Sequence, residues 1–440
     1  MKREWKGPLP YSDRVGRLQE DIERYKRDYL RLWWETSTEF PRLGRIYERK
    51  LQKSIAKKLF RFIDHASGRF DECPSEKERK KIWMENLLSE IRRFAQNFLE
   101  MSDLYLDAVF QEDYVRSTQM FIDKAKEFDP RIEIEDLYQA LRNAWIMNSL
   151  QMHLGLDVRF RDSIFAYSMI YPYMDNYLDD ASLSLESKLR LIEKLKEWLE
   201  GQAIAYDNPH EEKIFRLIKL IEAEYDRNKF PGVYQSLLAI FNAQLKSLIQ
   251  QKGHILPFEV DILDLSFEKG GTSVLADGFL VAGSLKDEEA DFCFGFGALL
   301  QLADDIQDLV LDRENNHATI FSFPVGRHKM DKLASKLLNF ISKVVDVKLD
   351  EEDLNAKTLK ELILRNCVLL ILEATGKNEA YYSQEYVRNM QRHFPIQYSK
   401  LKKLRKKLKD KLLDKRRHVV DLDLVSAFLL TATSRIIYGK

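Results

Sequence analysis

A chain of 440 residues with 70 acidic and 70 basic residues has no net charge to draw it toward nucleic acid. Its 17 glycines and 11 prolines are few beside 32% charged residues, which argues against a turn-rich all-β fold and for long helices. The three cysteines, Cys73, Cys293 and Cys367, form neither a CxxC pair nor a disulfide framework, and the eight histidines form no HxxxH or HExxH pair, so zinc and disulfide scaffolds are set aside.

The opening MKREWKGPLPYSDR has no apolar h-region, and no stretch of 18 apolar residues is free of charge. The expectation is a soluble, cytoplasmic protein. Apolar residues recur at helical spacing nearly throughout and predict helices over 13–35, 43–66, 76–112, 115–127, 133–154, 159–181 and 185–200. Further helices follow over 210–226, 231–251, 258–283, 287–312, 327–346, 357–375, 378–393, 396–417 and 420–437. Proline, glycine or asparagine marks the breaks, as at Asp129-Pro130, Asn208-Pro209, Phe230-Pro231 and Gly326. No repeat of constant period appears, and no Gly-x-Ser-x-Gly elbow supports a serine nucleophile. Residues 1–115 are rich in charge and aromatics but hold no candidate chemistry, and are expected to be a helical extension on a main helical domain over 116–440.

Two acidic segments carry the chemistry. In Tyr171-Pro-Tyr-Met-Asp175-Asn-Tyr-Leu-Asp179-Asp180, the carboxylates of Asp175 and Asp179 are four apart and share a helix face, with Asp180 at its edge. Like charges at that spacing repel, whereas a hard divalent cation reverses the penalty. The plain alternative is a solvated helix end, and the aromatic approach FAYSMIYPYM favours the metal. In the second segment, Gln301, Asp304, Asp305, Asp308 and Asp312 follow a helical pattern among Leu299, Leu302, Ile306, Leu309 and Val310. A helix so apolar should be largely buried, and buried carboxylates need cationic partners or metals.

The pattern Gly297-x-x-x-Gln301-x-x-Asp304-Asp305-x-x-Asp308 resembles the second Asp-rich motif of trans-prenyl diphosphate synthases. Asp175-x-x-x-Asp179-Asp180 is similar to the first motif of squalene and phytoene synthases. The 129 positions from Asp175 to Asp304 suit this class I isoprenoid synthase superfamily, and the resemblance covers roughly residues 130–330. It implies an all-α, single-domain helical bundle of the isoprenoid synthase type, with the N-terminal extension packed on it. Between the motifs, Lys269-Gly-Gly-Thr272 resembles the Lys-Thr segment at a helix break in prenyl synthases, where the lysine contacts diphosphate. Two glycines there would permit a kink that exposes backbone N–H groups to an anion.

The resemblance further implies three Mg²⁺ ions held by Asp175, Asp179, Asp180, Asp304, Asp305 and Asp308, with Gln301 beside the second set. Lys269 and Arg142 would add positive charge on a prenyl diphosphate substrate. Tyr171 and Tyr167, one and two turns ahead of Asp175, and Thr272 would line the apolar pocket. The sequence departs from the family in lacking a GGKRxRP-like segment for a homoallylic co-substrate, and it has no NSE triad. Prenyl transfer is the leading expectation. Cyclisation, head-to-head coupling, and a non-catalytic lipid-binding or interaction role on the same fold stay open. No nucleic acid partner is expected, and a homodimer stays open. Residues 400–417 form a basic amphipathic pattern suited either to peripheral membrane contact or to a solvated helix face. The terminal Arg435 and Tyr438 resemble an Arg-Tyr pair that closes some terpene cyclases over diphosphate.

Overall fold

The protein is described by a computed structural model covering residues 11–70, 72–98, 101–180, 182–252, 260–349 and 352–408. Among these residues every regular element is helical, so the chain is all-α as expected. The helices are α1 (Tyr11–Trp34), α2 (Arg49–Phe70), α3 (Lys77–Phe98), α4 (Asp103–Phe110), α5 (Glu112–Phe128), α6 (Ile134–His153), α7 (Asp162–Asp179), α8 (Leu185–Leu199) and α9 (Pro209–Glu224). They continue with α10 (Pro231–Ser247), α11 (Ile262–Ala282), α12 (Asp287–Gln307), α13 (Leu309–Glu314), α14 (Asp331–Lys348), α15 (Leu354–Lys377), α16 (Gln384–Arg392) and α17 (Tyr398–Leu408). No described helix is long and apolar enough to cross a membrane. Residues 420–437, with Arg435 and Tyr438, lie outside the described residues, as does the 409–417 part of the basic segment.

Local chemistry sets the boundaries. Asn208 caps α9 by accepting from the amides of His210 and Glu211, and Pro209 starts the helix where its missing N–H costs nothing. Asp261 caps α11 from the Asp264 amide, and Gly283, at φ +75°, ends it in the left-handed conformation that glycine adopts without strain. Two predicted helices are each divided. Ser102 takes an extended backbone and caps α4, so 76–112 becomes α3 and α4. Asp308, at φ −95° and ψ 6°, interrupts 287–312 between α12 and α13.

The chain forms two compact units: Met1–Glu35 with Met120–Leu302, and Thr36–Gln119 with Ala303–Lys440. Residues 36–115 thus group with the C-terminal third. In the first unit α6 packs on α7, α7 on α9, and α11 against α10, α6 and α7, while α1 lies on α10 and α11. Lys26 of α1 is buried and bonded to Asp264 at 3.0 Å and Glu268 at 3.2 Å on α11. In the second unit α15 is central, meeting α14, α16, α17 and α4, and α2 packs on α3 and α17.

Candidate functional site

The first acidic segment ends α7, a helix fixed at both ends. At its start, Glu224 of α9 accepts from the Ser163 amide at 2.8 Å and pairs with Arg161, whose Nη1 donates to the Val281 carbonyl at 2.6 Å. Beyond Phe165, Tyr167 and Met169, which are buried, Pro172 sits inside the helix. Proline has no N–H, so the Ser168 carbonyl loses its helical donor. Near the C-terminal end, Gln139 of α6 donates to Asp175 Oδ2 at 2.6 Å, and Asn176 donates to Asp136 at 2.9 Å. Asp136, Gln139 and Asn143 recur at helical spacing and form a polar stripe of α6 facing α7.

Two of the expected ligands of this segment, Asp175 and Asp180, differ in setting. Asp175 is half-buried and amide-bound, whereas Asp180 is exposed at the helix C-cap and accepts from the Ser182 amide. Bonds from Ser182 hold the Asp180 carboxyl below its ordinary value. The side chain of Asp179 lies outside the described residues.

Tyr167 and Tyr171 meet edge-to-face at 5.1 Å, their hydroxyls 2.9 Å apart, and Tyr171 bonds on to the Ser273 hydroxyl of α11. Burial is the main cause that pushes both phenols above their ordinary range. Thr272, expected in the same pocket, faces elsewhere. It is buried, donates to the Glu268 carbonyl at 2.6 Å, and lines a cleft of about 320 Å³ with Gln19, Ile22, Ala239 and Asn242 of α1 and α10. The expected pocket wall therefore lies on two faces of α11. Adjacent helix positions point about 100° apart, so Thr272 and Ser273 cannot serve one wall.

The expected break at Gly270-Gly271 is absent, a correction to the sequence reading. α11 runs unbroken through both glycines, and its amides are used within the helix. The glycines serve helix packing. A Cβ on Gly270 would lie 2.5 Å from Gln301 Cβ and from the Gly297 carbonyl, and one on Gly271 would lie 2.5 Å from the Phe294 ring. Gln301 is thus placed where α12 crosses α11. Lys269 is half-buried, and its ammonium has no ion pair among the described residues. Arg142 is half-buried on α6.

Of the second carboxylate set, Asp305 is buried at 6% exposure, while Asp304 and Asp308 are half-buried. Asp308 occupies the bend, so the expected single helical face of Asp304, Asp308 and Asp312 is carried by two helices, α12 and α13. Asp175 belongs to the first compact unit, and Asp304, Asp305 and Asp308 to the second. Among the described residues no three or more histidine, cysteine or carboxylate side chains are grouped as a metal site.

One cluster escaped the sequence reading. Asp277 is fully buried in α11, where Asn143 Nδ2 donates to its Oδ1 at 3.0 Å while Oδ2 has no hydrogen-bond partner. Asn143 also reaches Ser168 at 3.2 Å. Burial drives the Asp277 carboxyl well above its ordinary range, against the opposing bond from Asn143. The signal was present as a lone acid in the apolar run VLADGFLVAG. No protein-family model, no curated protein and no solved structure matches the chain.

Proposed function

We propose that this chain is a Mg²⁺-dependent class I isoprenoid synthase that ionises an allylic prenyl diphosphate, with prenyl transfer as the leading outcome. The observation that carries the reading is the position of Asp175. Its carboxylate stands one turn beyond the bonded Tyr167–Tyr171 pair, with one oxygen held by Gln139.

The donor chemistry fits the metal. Mg²⁺ takes one or two carboxylates and completes its shell with water and substrate phosphate oxygens, so Asp175, and separately the set of Asp304, Asp305 and Asp308, would each hold an ion without a prebuilt cage. An amide bonded to a carboxylate oxygen is the kind of orienting contact that ligating carboxylates carry. When bound, the metal supplies positive charge to the departing diphosphate. Lys269, half-buried and without an ion pair among the described residues, adds a cation for the same anion. The tyrosine rings exclude water and offer π-faces to a cationic intermediate.

A second reading, a non-catalytic helical protein, draws support from α11. Its unbroken course through Gly270 and Gly271 leaves no exposed amides there for an anion.

Incubation with geranyl, farnesyl and geranylgeranyl diphosphates, with and without Mg²⁺ and isopentenyl diphosphate, separates the readings by mass spectrometry. Longer diphosphates formed only with isopentenyl diphosphate indicate elongation; hydrocarbon or alcohol without it indicates cyclisation or coupling. Asp175→Asn and Asp304→Asn should each reduce diphosphate release to background. No Mg²⁺-dependent release from any substrate would overturn the enzymatic reading.

A further inference from the structure

We propose that the face formed by α2 and α17 docks on an anionic lipid bilayer. The whole chain is electrically balanced. Yet α2 carries seven lysines and arginines against one carboxylate, and α17 carries six and none. The single acid, Asp64, is already taken by Lys407 Nζ at 2.5 Å.

The charge is organised as a stripe. Arg49, Lys53, Lys57 and Arg61 succeed one another at four-residue steps on α2, and all are exposed. Ile55, Leu59 and Ile63 bury the opposite face. Like charges at that spacing destabilise an isolated helix, and no carboxylate among the described residues pairs with any of these four. On α17, Lys402, Lys403 and Lys406 are exposed while Leu401 and Leu404 are buried.

The two helices run side by side in the same direction. Gln52 donates to the carbonyls of Gln391 and Phe394 at 2.7 and 2.8 Å, just ahead of α17, whose Tyr398 amide bonds to Gln391 at 2.6 Å. The Lys407–Asp64 pair joins them further along. At roughly 1.5 Å per residue, α2 presents about 33 Å of length to a flat partner.

Charge chemistry selects the partner. Most of these cations are lysines, compact hydrated charges that suit the diffuse field of lipid headgroups more than bidentate reading of a nucleic acid. Among the described residues no exposed aromatic interleaves with them, as a stacking platform for single strands requires.

Vesicle flotation of the full-length protein tests the proposal. Binding to phosphatidylcholine vesicles containing about 30% phosphatidylserine should exceed binding to pure phosphatidylcholine by about tenfold or more, and should vanish near 0.5 M salt, where the screening length falls to a few ångströms. Lys53→Glu with Lys57→Glu, and separately Lys402→Glu with Lys403→Glu, should each weaken binding about tenfold, given that each basic residue near an anionic surface contributes measurably. Lys188→Glu with Lys196→Glu, the same charge change on α8, should leave it intact, and circular dichroism checks each variant's folding. Equal binding to both vesicle types overturns the proposal. So does full retention by folded α2 and α17 variants, or tighter binding of the wild type to duplex DNA than to the anionic vesicles. The lipid and salt comparisons use only the wild type, so a misfolded variant does not leave the question open.

Discussion

Two faces of α11 meet their neighbours by opposite means. Toward α6 and α7 it offers Ser273 and Asp277, and the contact is two sets of hydrogen bonds, Ser273 with Tyr171 and Tyr167, and Asp277 with Asn143, which also reaches Ser168. Toward α12 it offers Gly270 and Gly271, and the contact is close packing against Gly297, Gln301 and Phe294. Close packing is intolerant of added volume but indifferent to pH. A buried polar network is the reverse, because each unmade bond exposes the desolvation cost of the group left behind. One helix therefore combines a steric constraint with an electrostatic one.

Substitution can break this contrast, most severely on the glycine face. Gly270→Leu should cost about 3 kcal/mol or more, since the crossing has no room for a side chain. Urea denaturation measures it, and a loss below about 1 kcal/mol would mean that the helices separate cheaply. On the polar face, Asp277→Asn should stabilise the protein by about 1–3 kcal/mol at pH 8, because it replaces a carboxyl whose charged form burial disfavours with a neutral amide that can still accept from Asn143. The sign follows from the raised pKa. The folded state holds the proton more tightly than the unfolded chain, so the stability tied to that proton is complete below the ordinary carboxyl range and lost as pH rises through the folded value. The gain should vanish near pH 4, and a gain independent of pH would refute the electrostatic account.

Tyr171→Phe removes the hydroxyl between Tyr167 and Ser273 and should cost about 1 kcal/mol. It should also shift the product distribution if the tyrosine wall touches substrate. The smallest structural effect belongs to Gln139→Leu at the half-buried end of the α6 stripe, about 0.5 kcal/mol in the same denaturation assay. Its effect on Mg²⁺-dependent turnover should be larger, about 10- to 100-fold, in keeping with second contacts to metal-ligating carboxylates. Unchanged turnover in a folded Gln139→Leu protein would separate this amide from the chemistry.

Much of the fold was legible in the residue order. Apolar spacing located nearly every helix, and Asn208-Pro209, Phe230-Pro231 and Gly283 marked ends that the backbone adopts for local reasons. These are short-range effects, decided by capping and by torsional limits within a few residues. The Ser102 and Asp308 divisions were missed because apolar periodicity runs through both places.

The site was legible only in part. Its residue types were visible, but the partner of each side chain depends on how distant helices cross. Gly270-Gly271 shows why. The same pair permits a kinked loop or a tight helix crossing, and local conformational freedom does not choose between them. The choice came from Gly297, 27 residues away, whose missing side chain lets two backbones touch. Likewise, Asp277 read as one acid in an apolar helix, and only the arrival of Asn143 gave it a hydrogen-bond partner. By itself, then, the sequence determined helix positions and the supply of carboxylates, both set by near neighbours. Tertiary structure decided which polar groups are buried, paired or left for a ligand, because desolvation depends on atoms remote in the chain.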